Sequence, residues 1–210
     1  MFKGKFITIE GCEGTGKSTQ IKFLKNNLEK KIKIISTREP GGSSGAERIR
    51  KLIFNNKNQN WSPMTEALLH ISARSDHLDK VIRPNLKKGN WVICDRFRDS
   101  TIAYQGYGNG LKLNVLDMMQ DAIFNNFHAD LTILLDMDVK KFLQRVNKRK
   151  SGFQKYEKMN INFHKKVKEG FLEIYKKNKK RCVILDADID KIVLSKKILE
   201  IINKRFKTNF

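Results

Sequence analysis

The stretch Phe6-Ile7-Thr8-Ile9-Glu10-Gly11-Cys12-Glu13-Gly14-Thr15-Gly16-Lys17-Ser18-Thr19-Gln20-Ile21-Lys22-Phe23-Leu24 decides the fold. It opens on an apolar, β-branched run, passes through G-x-x-x-x-G-K-[ST], and leaves through a segment of helical periodicity. That order of strand, glycine loop and helix separates a phosphate-binding loop from a chance glycine-rich turn. The glycines let backbone N–H groups turn inward around a polyphosphate, Lys17 reaches the β and γ oxygens, and the Ser18 hydroxyl is a ligand for Mg²⁺. The nucleoside triphosphate is expected on Gly11, Cys12, Glu13, Gly14, Thr15, Gly16, Lys17, Ser18 and Thr19.

Outward from this loop, β-branched content and length predict short strands at 6–10, 32–37, 91–95, 131–136 and 182–186. Helical pattern lies between them, at 18–30, 46–54, 63–87, 113–127, 139–148, 156–177 and 190–206. Runs such as Leu131-Thr132-Ile133-Leu134-Leu135 suit strands buried on both faces, so the fold class is α/β: a five-stranded parallel sheet, doubly wound, with helices on both faces. Ligands in such sheets lie beyond the carboxyl ends of the strands, where Glu10, Arg38, Asp95 and Asp136 are expected to converge. Pro84 is expected to kink or end its helix. The 55–60 stretch reads as a surface loop.

The 210 residues suit one domain spanning 1–210. Residues 1–5 lead almost at once into the first strand and no apolar run reaches spanning length, which predicts a cytoplasmic protein without membrane association. Cys12, Cys94 and Cys182 have no metal-ligand spacing and are expected to be free thiols. The net charge of +21 would ordinarily suggest nucleic acid, but the lysines are spread along the chain and no aromatic-interleaved basic segment forms a stacking platform, so nucleic acid is not expected as a partner.

Asp95-Arg96-Phe97-Arg98-Asp99-Ser100-Thr101-Ile102-Ala103-Tyr104-Gln105-Gly106 resembles the D-R-[YF]-x-x-S-x-x-A-Y-Q segment of thymidylate kinases. Three further segments stand in that family's order: Glu10 to Thr19, Thr37-Arg38-Glu39-Pro40-Gly41-Gly42, and Ala129-Asp130-Leu131-Thr132-Ile133-Leu134-Leu135-Asp136. The resemblance implies a P-loop kinase fold that phosphorylates dTMP to dTDP with ATP and Mg²⁺, and a homodimer formed through the helices carrying 50–54 and 63–87.

Residue chemistry and resemblance agree on Arg96, whose planar fork suits the acceptor phosphate, and on Asp95, which with Ser18 serves the metal. The resemblance further implies that Arg74 meets the base, that His70 stacks on it where the family usually has Phe, and that Glu13 clamps the 3′-hydroxyl. Thr101, Tyr104 and Gln105 surround the deoxyribose and thymine, and Arg38 contributes to the acceptor site. His77, His128 and His164 are read as structural.

A basic segment containing Gly152, near 148–157, reads as a lid. Charge on the transferring phosphoryl group calls for a cation, and the loop Glu13-Gly14-Thr15-Gly16 carries no arginine. As in bacterial members of the family, the lid is expected to supply it. Arg149 is the first candidate, and Lys155, in Gln154-Lys155-Tyr156-Glu157 where the family usually has Asp-Arg-x-Glu, is the second. The competing readings are a kinase for dUMP or dGMP, and a P-loop ATPase acting on nucleic acid. A GTPase is disfavoured because no N-K-x-D segment is present.

Overall fold

The fold was analysed in a computed structural model that describes residues 3–54, 61–147 and 155–210. Five parallel strands, β1 (Phe6–Glu10), β2 (Ile34–Arg38), β3 (Trp91–Asp95), β4 (Leu131–Asp136) and β5 (Cys182–Asp186), form one sheet in the order β2-β3-β1-β4-β5. After β1 the chain crosses over β3 to build β2, and later returns to β4 on the other side of β1. This reversal opens a crevice at the carboxyl end of β1, the expected ligand position in an open parallel sheet.

Side chains that alternate along the strands part between two apolar clusters. Ile7, Ile9 and Ile93 pack with Leu24 and Leu28 of α1 (Lys17–Leu28) and Ile198 of α9 (Lys191–Phe206). Phe6, Val92 and Cys94 pack on the opposite face with Ile71 of α3 (Pro63–His77), Leu78, Ile82, and Leu86 of α4 (Arg83–Lys87). Helices therefore cover both faces. Within the sheet the buried hydroxyls of Thr8 and Thr132 satisfy each other at 2.8 Å.

Observed boundaries depart from expectation where backbone hydrogen bonding overrides apolar pattern. β2 starts at Ile34, because the Ile32 N–H is still bonded to the Leu28 carbonyl that ends α1. The expected 63–87 helix contains a π-helical turn at Leu78–Ile82 just before Pro84. Pro84 removes one main-chain donor, and the wider turn carries the chain through it. The expected 156–177 helix is divided into a short 3₁₀ turn, Tyr156–Lys158, and α8 (Ile161–Lys177). Asn160 starts α8 by accepting from the Phe163 N–H at 2.9 Å.

The remaining helices are α2 (Ser44–Phe54), α5 (Arg98–Thr101), α6 (Leu113–Phe124) and α7 (Val139–Asn147). A second π-helical stretch, Ile102–Gly108, continues α5 and packs against α8. Among the described residues no helix is long and apolar enough to cross a membrane, and Cys12, Cys94 and Cys182 are free and buried.

Candidate functional site

The loop after β1 is shaped by backbone conformations that favour glycine. Gly11 has φ +135°, and a Cβ there would stand 2.4 Å from the Leu135 carbonyl oxygen; Gly16, with φ +91°, leads into α1. No side chain caps α1 and no acid lies in its first turn, so the leading N–H groups and positive dipole end are left for an anion. The Lys17 ammonium donates to the carbonyls of Gly11 at 3.0 Å and Cys12 at 2.7 Å. Its burial, with Arg96 nearby, pulls its pKa down to about 8.

The Ser18 hydroxyl donates to Asp95 Oδ2 at 2.9 Å, while Asp95 Oδ1 is buried with no hydrogen-bond partner among the described residues. Two adjacent hard oxygen donors, one carboxylate oxygen unsatisfied, fit a hydrated Mg²⁺.

Next along the chain, Arg96 takes a left-handed backbone, φ +69°, which is uncommon for a non-glycine residue and points to a functional constraint. Its two Nη atoms donate to Gly11 O (2.9 Å), Ser100 Oγ (3.1 Å), Glu13 Oε1 (2.9 Å) and Tyr104 Oη (3.0 Å). The Tyr104 hydroxyl in turn donates to both Glu13 oxygens, at 2.7 and 2.6 Å. Burial works against charge on Glu13, but Arg96, Lys17 and Tyr104 together hold its carboxyl below the usual range. An acid amid anion-binding amides is thus stabilised by its own cationic partner.

Beside this cluster lies Arg74, 2% exposed. Nε donates to Glu39 Oε2 at 2.6 Å, Nη1 to Thr101 Oγ1 and Gln120 Oε1, and Nη2 to the Phe97 carbonyl. Glu39 also meets His77 Nδ1 at 3.0 Å, and His77 Nε2 meets Thr37 Oγ1 at 2.7 Å. One helical turn before Arg74, the His70 imidazole is held neutral by burial, its pKa pulled down to about 4, and its Nε2 lies 2.8 Å from Tyr156 Oη.

Lys17, Ser18, Asp95, the Arg96–Glu13–Tyr104 cluster, Arg74 and His70 line one cleft of about 390 Å³. Of the residues expected from sequence, Glu13, Gly14, Gly16, Lys17, Ser18, Thr19, Arg38, His70, Arg74, Asp95, Arg96, Thr101, Tyr104 and Gln105 border it.

The Thymidylate kinase family model matches residues 9–198. The chain belongs to the thymidylate kinase family. It is 41% identical to the thymidylate kinase of Caulobacter vibrioides over 98% of this chain and 99% of that one, and 41% identical to that of Bradyrhizobium sp. (strain ORS 278) over 98% and 92%. The crystal structure of thymidylate kinase from Ehrlichia chaffeensis superposes with a TM-score of 0.79 at 32% identity, covering 95% of this chain and 98% of that chain.

The geometry also places several of the residues expected of a thymidylate kinase away from the cleft surface. Gly11, Cys12 and Thr15 stand behind the cleft wall; Thr15 Oγ1 donates to the Cys12 carbonyl at 2.9 Å and so braces the loop. Of the four strand-end residues, Arg38 and Asp95 border the cleft, whereas Glu10 and Asp136 do not. Glu10 is buried, accepting from the Phe97 N–H and Ser100 Oγ, and burial next to Asp99 raises its pKa to about 8. Asp136 is ion-paired with Lys168 at 3.0 Å.

Arg38 Nη2 donates to both carboxylate oxygens of Glu47 of α2, at 2.9 and 3.1 Å. Lys155 does not border the cleft: its ammonium is ion-paired with the buried Glu66 carboxylate. Delivering Lys155 to a phosphoryl group would require breaking this pair and leaving the buried Glu66 carboxylate without its counter-ion. Arg149 and residues 148–154 of the expected lid lie outside the described residues.

His77 and His164 are buried and His128 is exposed; none borders the cleft. Sequence reading missed Arg50, Phe54, Tyr156 and Glu157, which do. Arg50 donates to the Pro40 carbonyl at 2.8 Å and lies over the Phe54 ring. Nothing local marks it. The 3.6-residue periodicity that predicts α2 does place positions 50 and 54 on one face.

Proposed function

We propose that this chain transfers the γ-phosphoryl group of ATP to dTMP, forming dTDP and ADP in dTTP synthesis. The observation that carries the reading is one cleft holding an uncapped helix N-terminus with Lys17 and, facing it, the Arg96–Glu13–Tyr104 cluster beside the Arg74 and His70 wall. The first part suits a triphosphate. The second suits a nucleotide that brings its own phosphate.

Ser18 and Asp95 would hold Mg²⁺, which would supply charge neutralisation on the donor phosphates. Lys17 exchanges the loop carbonyls for phosphate oxygens. Arg96 has four donors engaged with protein, so its grip on the acceptor phosphate displaces Tyr104 or Glu13, freeing the Glu13 carboxylate for the sugar hydroxyl. The acceptor phosphate oxygen attacks the γ-phosphorus in line; being ionised already, it needs no general base, and no covalent enzyme intermediate forms. Arg149 supplies the cation for the transferring group from the lid at 148–157. Arg149→Ala should lower kcat by about 10³ or more with little change in either KM.

We further read the chain as one cytoplasmic domain that forms a homodimer through α2 and α3, where Leu52 and Leu68 are exposed, and that has no nucleic-acid partner. Sedimentation equilibrium tests the dimer. A coupled ADP-release assay with ATP and Mg²⁺, offered dTMP, dUMP, dGMP, dCMP, UMP or AMP and a no-acceptor control, tests the activity. Turnover strongly favouring dTMP is expected. Preference for dUMP or dGMP would move the reading to another monophosphate kinase, a possibility raised by His70, whose ring is committed to Tyr156. Hydrolysis independent of acceptor would move it to the ATPase class, for which stimulation by DNA or RNA is the further check.

A further inference from the structure

Glu66 does not border the cleft, yet it touches three residues of the segments that wall it. It lies one helical turn before His70 on α3 and is 3% exposed. Oε1 accepts from Tyr156 Oη at 2.6 Å and from Gln105 Nε2 at 3.2 Å, while Oε2 takes the Lys155 ammonium. Tyr156 Oη is also 2.9 Å from Gln105 Nε2 and 2.8 Å from His70 Nε2.

The proton inventory of this network closes in only one way. A phenol oxygen has one hydrogen to give and room to accept two. Its hydrogen goes to Glu66, because an ionised carboxylate only accepts. Burial opposes that ionisation, but Lys155 and Tyr156 hold the carboxyl below its usual range. The Gln105 amide donates to the phenol oxygen, so the remaining contact requires His70 Nε2 to be the donor. The charge on Glu66 thereby sets the direction of each bond and the tautomer of the imidazole.

We propose that Glu66 is a positioning residue for the acceptor nucleotide: through Tyr156 and Gln105 it fixes the phenol, amide and imidazole that line the base side of the cleft, with Lys155 as its counter-ion. This inference rests on the proposed transfer to dTMP. It assigns Lys155 to holding the acceptor wall and not to the transferring phosphoryl group.

Initial-rate kinetics with ATP and dTMP on Glu66→Ala, Glu66→Gln, Lys155→Ala and Tyr156→Phe test it, each variant checked for folding by circular dichroism. Glu66→Ala raises the KM for dTMP about tenfold or more, the effect of losing one hydrogen bond to a charged group, and leaves the KM for ATP unchanged. Glu66→Gln keeps an oxygen for the phenol and recovers most of the loss. The double variant Glu66→Ala/Tyr156→Phe is no worse than the weaker single variant, because both remove one linkage.

An unchanged dTMP KM accompanied only by a lower Tm would overturn the proposal, as would equal rises in both KM values. A large kcat loss in Lys155→Ala at constant KM would return that residue to the transfer step. If Glu66→Ala fails to fold, the Gln and Phe variants decide. A native chain that phosphorylates another monophosphate in preference to dTMP refutes the functional reading instead, and the same variants are then scored on that acceptor.

Discussion

Removing the Glu39 carboxylate is the most direct test of the account given for Arg74. Both side chains are 2% exposed, and the ion pair measures 2.6 Å. Glu39→Ala leaves the buried Arg74 Nε–H and the His77 Nδ1 position without their partner. Breaking a buried pair from one side costs about 3–5 kcal/mol. Thr101, Gln120 and the Phe97 carbonyl still accept from Arg74, which places the expected loss near the lower figure, ~3 kcal/mol.

For a chain of this size each kcal/mol moves Tm by about 2–4 °C, so a fall of roughly 6–12 °C is expected by scanning calorimetry. Glu39→Gln keeps an acceptor for the guanidinium and should lose about half as much, since an ion pair becomes a hydrogen bond from the cation to a neutral amide oxygen. The double variant Glu39→Ala/Arg74→Leu removes both charges together and should be more stable than Glu39→Ala alone. A Tm drop under about 2 °C in Glu39→Ala, or a double variant less stable than the single one, would refute the view that the buried Arg74 is held by its ion pair with Glu39.

Glu10→Gln should gain stability relative to the native chain as pH rises. The folded pKa is raised to about 8, so between the ordinary carboxyl value and pH 8 the folded chain holds a proton that the unfolded chain has lost, and native stability falls across that window. Urea unfolding at pH 5.5 and 8.5 measures this; an identical difference between variant and native at both pH values would remove Glu10 as its source. Lys17, lowered to about 8, is charged below that pH and increasingly neutral above it. ATP binding at pH 8.5 should therefore take up protons, seen as a dependence of the titration heat on buffer ionisation enthalpy. Heats independent of buffer would contradict the depressed pKa. Tyr104→Phe takes a charge-assisted donor from Glu13 and is expected to raise the KM for dTMP about tenfold at constant ATP KM. An equal rise for ATP would place Glu13 on the donor side.

Sequence pattern was most legible where the physics is local. Four strands begin and end where alternation and apolar runs place them, and the loop from Gly11 to Ser18 is a continuous segment whose glycines carry the conformational demand. β2 was shifted because Ile32 reads as strand by side chain while its N–H completes the end of α1. Glu66 and Tyr156 were missed for a different reason: their pairing spans 90 positions, and nothing near either residue specifies the other. A partial signal existed in the i, i+4 spacing of Glu66, His70 and Arg74, which puts all three on one stripe of α3. Two charges and an imidazole on a stripe that turns inward demand partners, and for Glu66 and His70 they came from Lys155 and Tyr156 at the end of the expected lid.

That demand also bears on His70. A phenylalanine at this position would offer more apolar surface to a base, but it could not donate to Tyr156, and the phenol oxygen would lose one of its two incoming bonds. His70 therefore belongs with Tyr156 and Glu66 as one unit, and its effect on the acceptor is not that of an isolated ring exchange. His70→Phe alone removes a donor from the buried network as well as adding apolar area, so the two contributions to acceptor affinity oppose each other. With Tyr156→Phe in the background the donor is no longer needed, and only the gain in apolar area is left. The same His70→Phe change should thus favour dTMP binding more in the Tyr156→Phe background than in the native chain, a coupling of about 1 kcal/mol, or roughly fivefold in Kd. Titration calorimetry of the four proteins with dTMP measures it. Additive effects would mean that the two rings act independently and that the bond between them has no bearing on the acceptor.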